Sequence, residues 1–201
     1  MMMDVRRELT KPVTWLAVVV AVLLAAVAVL SVVLLSRENG NPPRSFESTE
    51  ADCSAVTGTS NTAELRRIVP EASFYSVKSE TLVDKKSAKL LCEVRADDEV
   101  AVRLLVKETA GDREDWAKYI TRTGIDWSSD RHSVDLYGGG FSDGHAAALF
   151  LPCPGRAEAM GANEGMSVTV FTPPDGNHEK DVLRLAKRTA KHASGQLGCE
   201  K

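Results

Sequence analysis

The pentapeptide Gly140-Phe141-Ser142-Asp143-Gly144 has the form G-x-S-x-G, in which a serine on a sharp turn serves as a nucleophile. That chemistry needs the serine between a strand and a helix, with an acid and a base elsewhere in the chain. Asp175 and His178 come later in a usable order. The surroundings argue against this use. Downstream of the motif lies a short apolar segment stopped by Pro152, and nothing in the pattern supplies a parallel sheet. The three glycines Gly138 to Gly140 read as a flexible loop. No catalytic residue is assigned and the chain reads as a non-enzyme, with a small secreted-type serine hydrolase using Ser142 as the alternative.

The other titratable residues give no stronger signal. The histidines are His132, His145, His178 and His192; none pairs with another at i, i+4, and none stands beside a cysteine at zinc-ligand spacing. Asp97-Asp98-Glu99 lacks the spaced oxygen ligands of a calcium loop and reads as a solvated hairpin tip. No metal or cofactor is expected. A pH- or ion-responsive envelope sensor acting through His132 or His145 is a further alternative, because imidazole titrates near neutrality. Lys180, Arg184, Lys187, Arg188 and Lys191 outnumber Glu179 and Asp181 near the C-terminus. Such a face can meet anionic wall polymer or lipid headgroups, although most such faces are only solvated.

Four cysteines, Cys53, Cys92, Cys153 and Cys199, form no CxxC pair. An even number, widely spaced, suits an oxidising compartment, and four cysteines allow three pairings. Cys53–Cys92 and Cys153–Cys199 are favoured because each closes one local helix–strand unit. Each loop spans roughly 40 to 47 residues, worth on the order of 4 kcal/mol in the chain-entropy account.

The elements that must hold these residues emerge from periodicity. Asn61 or Thr62 can cap a helix over 63–68, stopped by Pro70. An extended stretch at 74–77 precedes Leu90, Cys92 and Val94, which alternate with Lys89, Glu93 and Arg95. Val100, Val102, Leu104 and Val106 alternate likewise beyond Asp97-Asp98, which predicts a hairpin with one buried face. Asp112 opens a helix carrying Trp116, Tyr119 and Ile120 and closed by Gly124; Glu114 and Asp115 complement its dipole. Trp116 belongs to the core, and Trp127 is either core or a loop anchor. Strands are expected over 146–151 and 166–172. A last helix opening at Asn177 and ending at Gly195 puts Val182, Leu185, Ala186, Thr189, Ala190 and Ala193 on one stripe. Consecutive strands favour an α+β domain with a mainly antiparallel sheet packed by about three helices.

From Val13 to Leu35 the only polar side chains are Thr14 and Ser31, each able to bond back to a helix carbonyl. At 1.5 Å per residue the run extends about 34 Å, enough to cross a hydrocarbon layer of about 30 Å. It lacks the polar stripe of a core helix, and no small-residue cleavage site or lipid-accepting cysteine comes after it. The expected organisation is a cytoplasmic tail over 1–12, a transmembrane signal anchor over 13–36, a Pro/Ser/Asn-rich tether over 37–52 and an extracytoplasmic domain over 53–201. Arg6, Arg7 and Lys11 before the run, against Arg37 and Arg44 after it, place the N-terminus inside by one charge. Of the formal charge of −3, the residues before the run contribute +1 and leave −4 outside, which disfavours nucleic acid as a partner.

A set of short motifs looks familiar: Cys53 succeeded by Glu64-Leu65-Arg66-Arg67-Ile68-Val69-Pro70, Cys92 within a charged hairpin, Leu149-Phe150-Leu151-Pro152-Cys153, the strand Ser167-Val168-Thr169-Val170, and an Ala-rich closing helix ending at Cys199. This pattern resembles small single-span or secreted envelope proteins of streptomycetes and related actinobacteria that carry no assigned activity. It also resembles actinobacterial cell-envelope domains that act as receptors or sensors, but lacks the lipobox of the lipoproteins among them. The resemblance implies the topology and no reaction. The expected function is that of a plasma-membrane, single-pass, non-catalytic binding module whose partner is an envelope protein or an anionic wall polymer.

Overall fold

The computed structural model describes residues 19–20, 22–28, 31, 43–46, 53–59, 63–84, 87–109, 111–124, 127, 130–154, 165–174 and 176–199. The chain divides into two compact units, Met1–Pro42 and Pro43–Lys201. In the first, the described residues are helical, and Val22, Leu23, Leu24 and Val27 all stand exposed. At 100° per residue these four positions spread over an arc of about 200° around the helix. Ser31 Oγ donates to the Val27 carbonyl at 2.8 Å, the back-bond expected of a hydroxyl in an apolar helix. Among the described residues no helix is long and apolar enough to cross a membrane. Most of the span expected over 13–36 lies outside them, as does all of the tail over 1–12.

The second unit is α+β. Seven strands form one sheet, antiparallel throughout: β1 (Tyr75–Val83), β2 (Ala88–Ala96), β3 (Glu99–Glu108), β4 (His132–Val134), β5 (Gly140–Ser142), β6 (Ala146–Pro152) and β7 (Gly165–Phe171), in the order β1-β2-β3-β7-β6-β5-β4. Four α-helices accompany them among the described residues: α1 (Ser54–Thr57), α2 (Ala63–Ile68), α3 (Arg113–Tyr119) and α4 (Glu179–Leu197). The capping residues Asn61 and Thr62 proposed for α2 lie outside the described residues.

The expected hairpin is β2–β3. Asp97 and Asp98 adopt positive φ at its tip, and Asp97 Oδ1 accepts from the Ser73 and Phe74 amides at 2.9 and 3.1 Å. The carboxylate thus ties the hairpin tip to the segment that enters β1. Leu90, Cys92, Val94, Val102, Leu104 and Val106 are wholly buried on one face of the sheet. The register shifts between Val94 and Arg95, so that Arg95 lies opposite Val100, and Ala101 rather than the expected Val100 is buried beside Val102. On the same face lie α1, α2 and α4, the last packed across β6, β7 and β3. The stripe Val182, Leu185, Ala186, Thr189, Ala190 and Ala193 is fully buried there, joined by Leu197. The helix does not stop at Gly195, which lies within it. It ends at Gly198, whose φ of 68° lets its amide reach back to the Gly195 and Ser194 carbonyls.

A smaller core occupies the opposite face. Asp112 caps α3 by accepting from the Glu114 and Asp115 amides at 2.8 and 3.0 Å, and these two bonds hold its carboxyl below the usual aspartate range, the Asp115 bond contributing more. From that helix Trp116 and Ile120 pack onto Ala148 and Phe150. The Trp116 indole donates to Ser167 Oγ at 2.9 Å, satisfying the one polar atom it buries. A π-helical turn, Ile120–Gly124, ends this segment, and Trp127 donates to the Ile120 carbonyl at 3.0 Å as a partly buried loop anchor.

Both disulfides lie within the second unit, Cys53–Cys92 with Cα atoms 5.6 Å apart and Cys153–Cys199 with Cα atoms 4.2 Å apart. One ties α1 to β2, the other the end of β6 to the end of α4. Residues 43–46, which composition assigns to the tether, pack with this unit. Arg44 pairs with Ala72 through reciprocal backbone bonds, and Phe46 is buried edge-on to Tyr75. The Tyr75 hydroxyl bonds the Arg44 carbonyl and, at 2.9 Å, that of Pro70.

Candidate functional site

The residues of the G-x-S-x-G motif meet a histidine and a carboxylate where β4, β5 and the start of α4 converge. In the register of β4 against β5, His132 lies opposite Ser142. Their side chains touch, Ser142 Oγ lying 3.2 Å from His132 Nε2. The same Nε2 is 3.1 Å from Glu179 Oε1 in the first turn of α4. His132 Nδ1 faces the Asp130 carbonyl at 3.4 Å. Both the serine and the carboxylate therefore contact one edge of the imidazole.

Their arrangement differs from that of an activated nucleophile. A triad places the hydroxyl on one ring nitrogen and the acid on the other, so that the acid orients the base. Here hydroxyl and carboxylate share Nε2, and a backbone carbonyl faces Nδ1. In the tautomer that carries its proton on Nε2, that proton serves Glu179 and no lone pair is left to receive the serine proton. Ser142 is also wholly buried, while the imidazole is half exposed. The motif occupies a strand–turn–strand: Ser142 closes β5, and β6 begins four residues later.

Asp143 fixes that turn. Its Oδ1 accepts from the His145 and Ala146 amides at 2.9 and 2.7 Å, and its own amide donates to the Ala146 carbonyl. His145 packs edge-on to Phe171, with Nδ1 3.5 Å from Asp143 Oδ1. Its carbonyl accepts from both the amide and the hydroxyl of Thr172. The His178 amide donates to the Gly144 carbonyl at 2.7 Å, tying the turn to α4. Asp175, the acid the motif would need, lies outside the described residues.

The glycines before Ser142 act through close packing. A Cβ on Gly138 would lie 2.5 Å from the Phe150 ring, one on Gly139 2.5 Å from the Arg113 guanidinium, and one on Gly140 2.3 Å from the Ala148 carbonyl. Gly139 also has φ of 97°. The expected flexible loop is instead a tightly seated one, because only glycine lets the backbone come so close. Beside it opens a shallow cleft of about 800 Å³ lined by Asp112, Arg113, Glu114, Ala117, Phe150, Pro152 and Pro154. A narrower groove of about 240 Å³ runs between Ile68, Pro70, Ala96, Val100 and His178. Neither contains Ser142.

Two further polar clusters are built with more care. Glu93, nearly buried on the solvent side of β2, accepts from Arg95 Nε and Arg103 Nε at 2.8 Å each. Burial alone would raise its pKa; the hydrogen bonds from Arg95 and Arg103 outweigh it and hold the carboxyl below the ordinary glutamate range. Asp181 on α4 is likewise held low, first by its hydrogen bonds from Arg67 at 2.7 to 3.1 Å. Among the described residues no group of three or more His, Cys, Asp or Glu side chains is placed to hold a metal ion.

Sequence reasoning singled out Ser142 and His132 separately and missed their contact. That contact depends on the register of two three-residue strands, too short to give a period. Compared with family models, curated proteins and solved structures, the chain matches none.

Proposed function

We propose that this protein is a membrane-anchored, extracytoplasmic interaction module without catalytic activity of its own. The observation that carries the proposal is the succession along one chain of an apolar run from Val13 to Leu35 and a compact unit closed by two disulfides. An apolar helix with Val22, Leu23, Leu24 and Val27 exposed has no polar side to offer water, and hydrocarbon is the solvent that suits it. Disulfides persist where the compartment is oxidising, which supports a domain outside the cytoplasm and an N-terminus within it. The resemblance to actinobacterial envelope proteins agrees with that layout. Alkaline carbonate extraction of membranes tests the anchor: the full chain stays in the pellet, and its release into the supernatant would overturn the reading.

One contact favours a second reading, a serine hydrolase: the 3.2 Å approach of Ser142 Oγ to His132 Nε2. The burial of Ser142 and the sharing of Nε2 with Glu179 weigh against it. A fluorophosphonate probe decides between them. The non-catalytic reading expects no labelling of the full chain; labelling that disappears in Ser142→Ala would establish the hydrolase.

A further inference from the structure

From Lys180 to Lys191 the outward side of α4 carries charge of one sign only. Between Lys180 and Lys191 the exposed positions are Lys180, Arg184, Lys187, Arg188 and Lys191, with no exposed residue of any other type. They extend over about 17 Å at 1.5 Å per residue. Arg66 and Arg67 are exposed on the neighbouring α2. Together α2 and α4 hold seven Lys and Arg against three carboxylates, in a chain whose formal charge is −3.

Those three carboxylates are already engaged. Asp181 is bound by Arg67 at 2.7 Å and reached by Arg184 at 3.9 Å, Glu64 is bound by Arg188 at 3.3 Å, and Glu179 lies against His132. Lys180, Lys187 and Lys191 make no ion pair among the described residues. An ordinary solvated helix interleaves its charges so that i, i+4 neighbours attract. Here 180 and 184, 184 and 188, and 187 and 191 are like-charged pairs, and Lys180 lies at the positive end of the helix dipole. The arrangement weakens the isolated helix, and a bound anionic surface would relieve it.

The course of the chain indicates which anionic surface. Residues 43–46 join the domain beside Pro70 and Ala72, just past α2, and Pro70 shares a groove with His178 at the start of α4. The chain therefore reaches the domain next to the end of the cationic face that begins at Lys180. Only residues 36–42 separate Pro43 from the last apolar residue, Leu35, a covalent reach of at most about 29 Å. The polyanion permanently within that reach is the headgroup layer of the membrane holding the run.

We infer that the cationic face of α4 docks on anionic lipid headgroups of the anchoring membrane. This rests on the anchored reading above. The apolar side of α4 is used up in the core, so the contact is electrostatic without insertion, and it weakens with salt.

The test uses the full chain reconstituted into vesicles of phosphatidylcholine alone or mixed with phosphatidylglycerol. A water-soluble amine-acylating ester is applied, and labelling of each lysine is tracked by peptide mass spectrometry. With phosphatidylglycerol, acylation of Lys180, Lys187 and Lys191 slows by about fivefold or more, as expected where each cation gains roughly that factor at an anionic surface. The protection disappears in about 0.5 M salt, where the Debye length falls below about 5 Å. Lys78, on the far edge strand, labels equally in both. Equal rates for the three α4 lysines in the two lipids would overturn the inference. So would protection by added poly(glycerol phosphate) with none from phosphatidylglycerol, which would make wall polymer the partner. Flotation with the neutral vesicles is read separately. A chain that does not float with them sinks the anchor, and protection by added phosphatidylglycerol vesicles then still decides the docking face.

Discussion

Glu93 shows how much one side chain can depend on its partners. Its carboxylate is nearly buried yet ionised, because Arg95 and Arg103 both bind it. Its folded pKa lies below the ordinary value of about 4.3, so its contribution to stability is full above that value and drains away as pH falls through the folded pKa. Glu93→Gln should lower neutral-pH stability by about 1 kcal/mol, a modest figure because the arginines are half exposed to solvent. It should also flatten the loss between about pH 5 and about pH 3, which urea titrations at a series of pH values would measure. Ser142 belongs to the same scale. If its hydroxyl only completes the contact with His132, Ser142→Ala costs about 1 kcal/mol of unfolding free energy and leaves the fold intact. The sequence drew attention to Ser142 through its neighbours Gly140 and Gly144. What the hydroxyl meets could not be read there, because its partner His132 arrives from a separate strand.

At the scale of elements, two glycines make opposite predictions. Gly140 sits in β5 with the Ala148 carbonyl and the Leu149 side chain where a Cβ would go, so Gly140→Ala should destabilise by about 1–3 kcal/mol through forced displacement of β6. Gly195 lies in the exposed interior of α4 with open space around it, so Gly195→Ala should stabilise by about 0.5–1 kcal/mol through helix propensity alone. Chemical denaturation of the two variants checks both signs. Long periodic elements were legible. The β2–β3 hairpin, β6, β7, α2 and the buried stripe of α4 can be read from alternation and helical spacing. The short ones were not: β4 and β5 have three residues each, and α1 has four. Gly195 misled the reading of where α4 stops, because a glycine inside a helix and one just past its end look alike until φ is known.

For the whole molecule, the disulfides and the sheet reinforce one another. Cys53–Cys92 and Cys153–Cys199 close loops with sequence separations of 39 and 46, each worth about 4 kcal/mol in the chain-entropy account. Against a typical net stability of about 5–15 kcal/mol, reduction of both should unfold the domain or bring it close to unfolding, seen as a large fall in the thermal midpoint with added reductant. The central claim, that the apolar run holds this domain outside the cytoplasm, is tested most directly by protease treatment of intact spheroplasts expressing the full chain. The expected result is cleavage between the apolar run and the domain without permeabilisation, releasing a soluble fragment that contains both disulfides. A domain that resists protease until the membrane is opened, and is digested only then, would contradict the account.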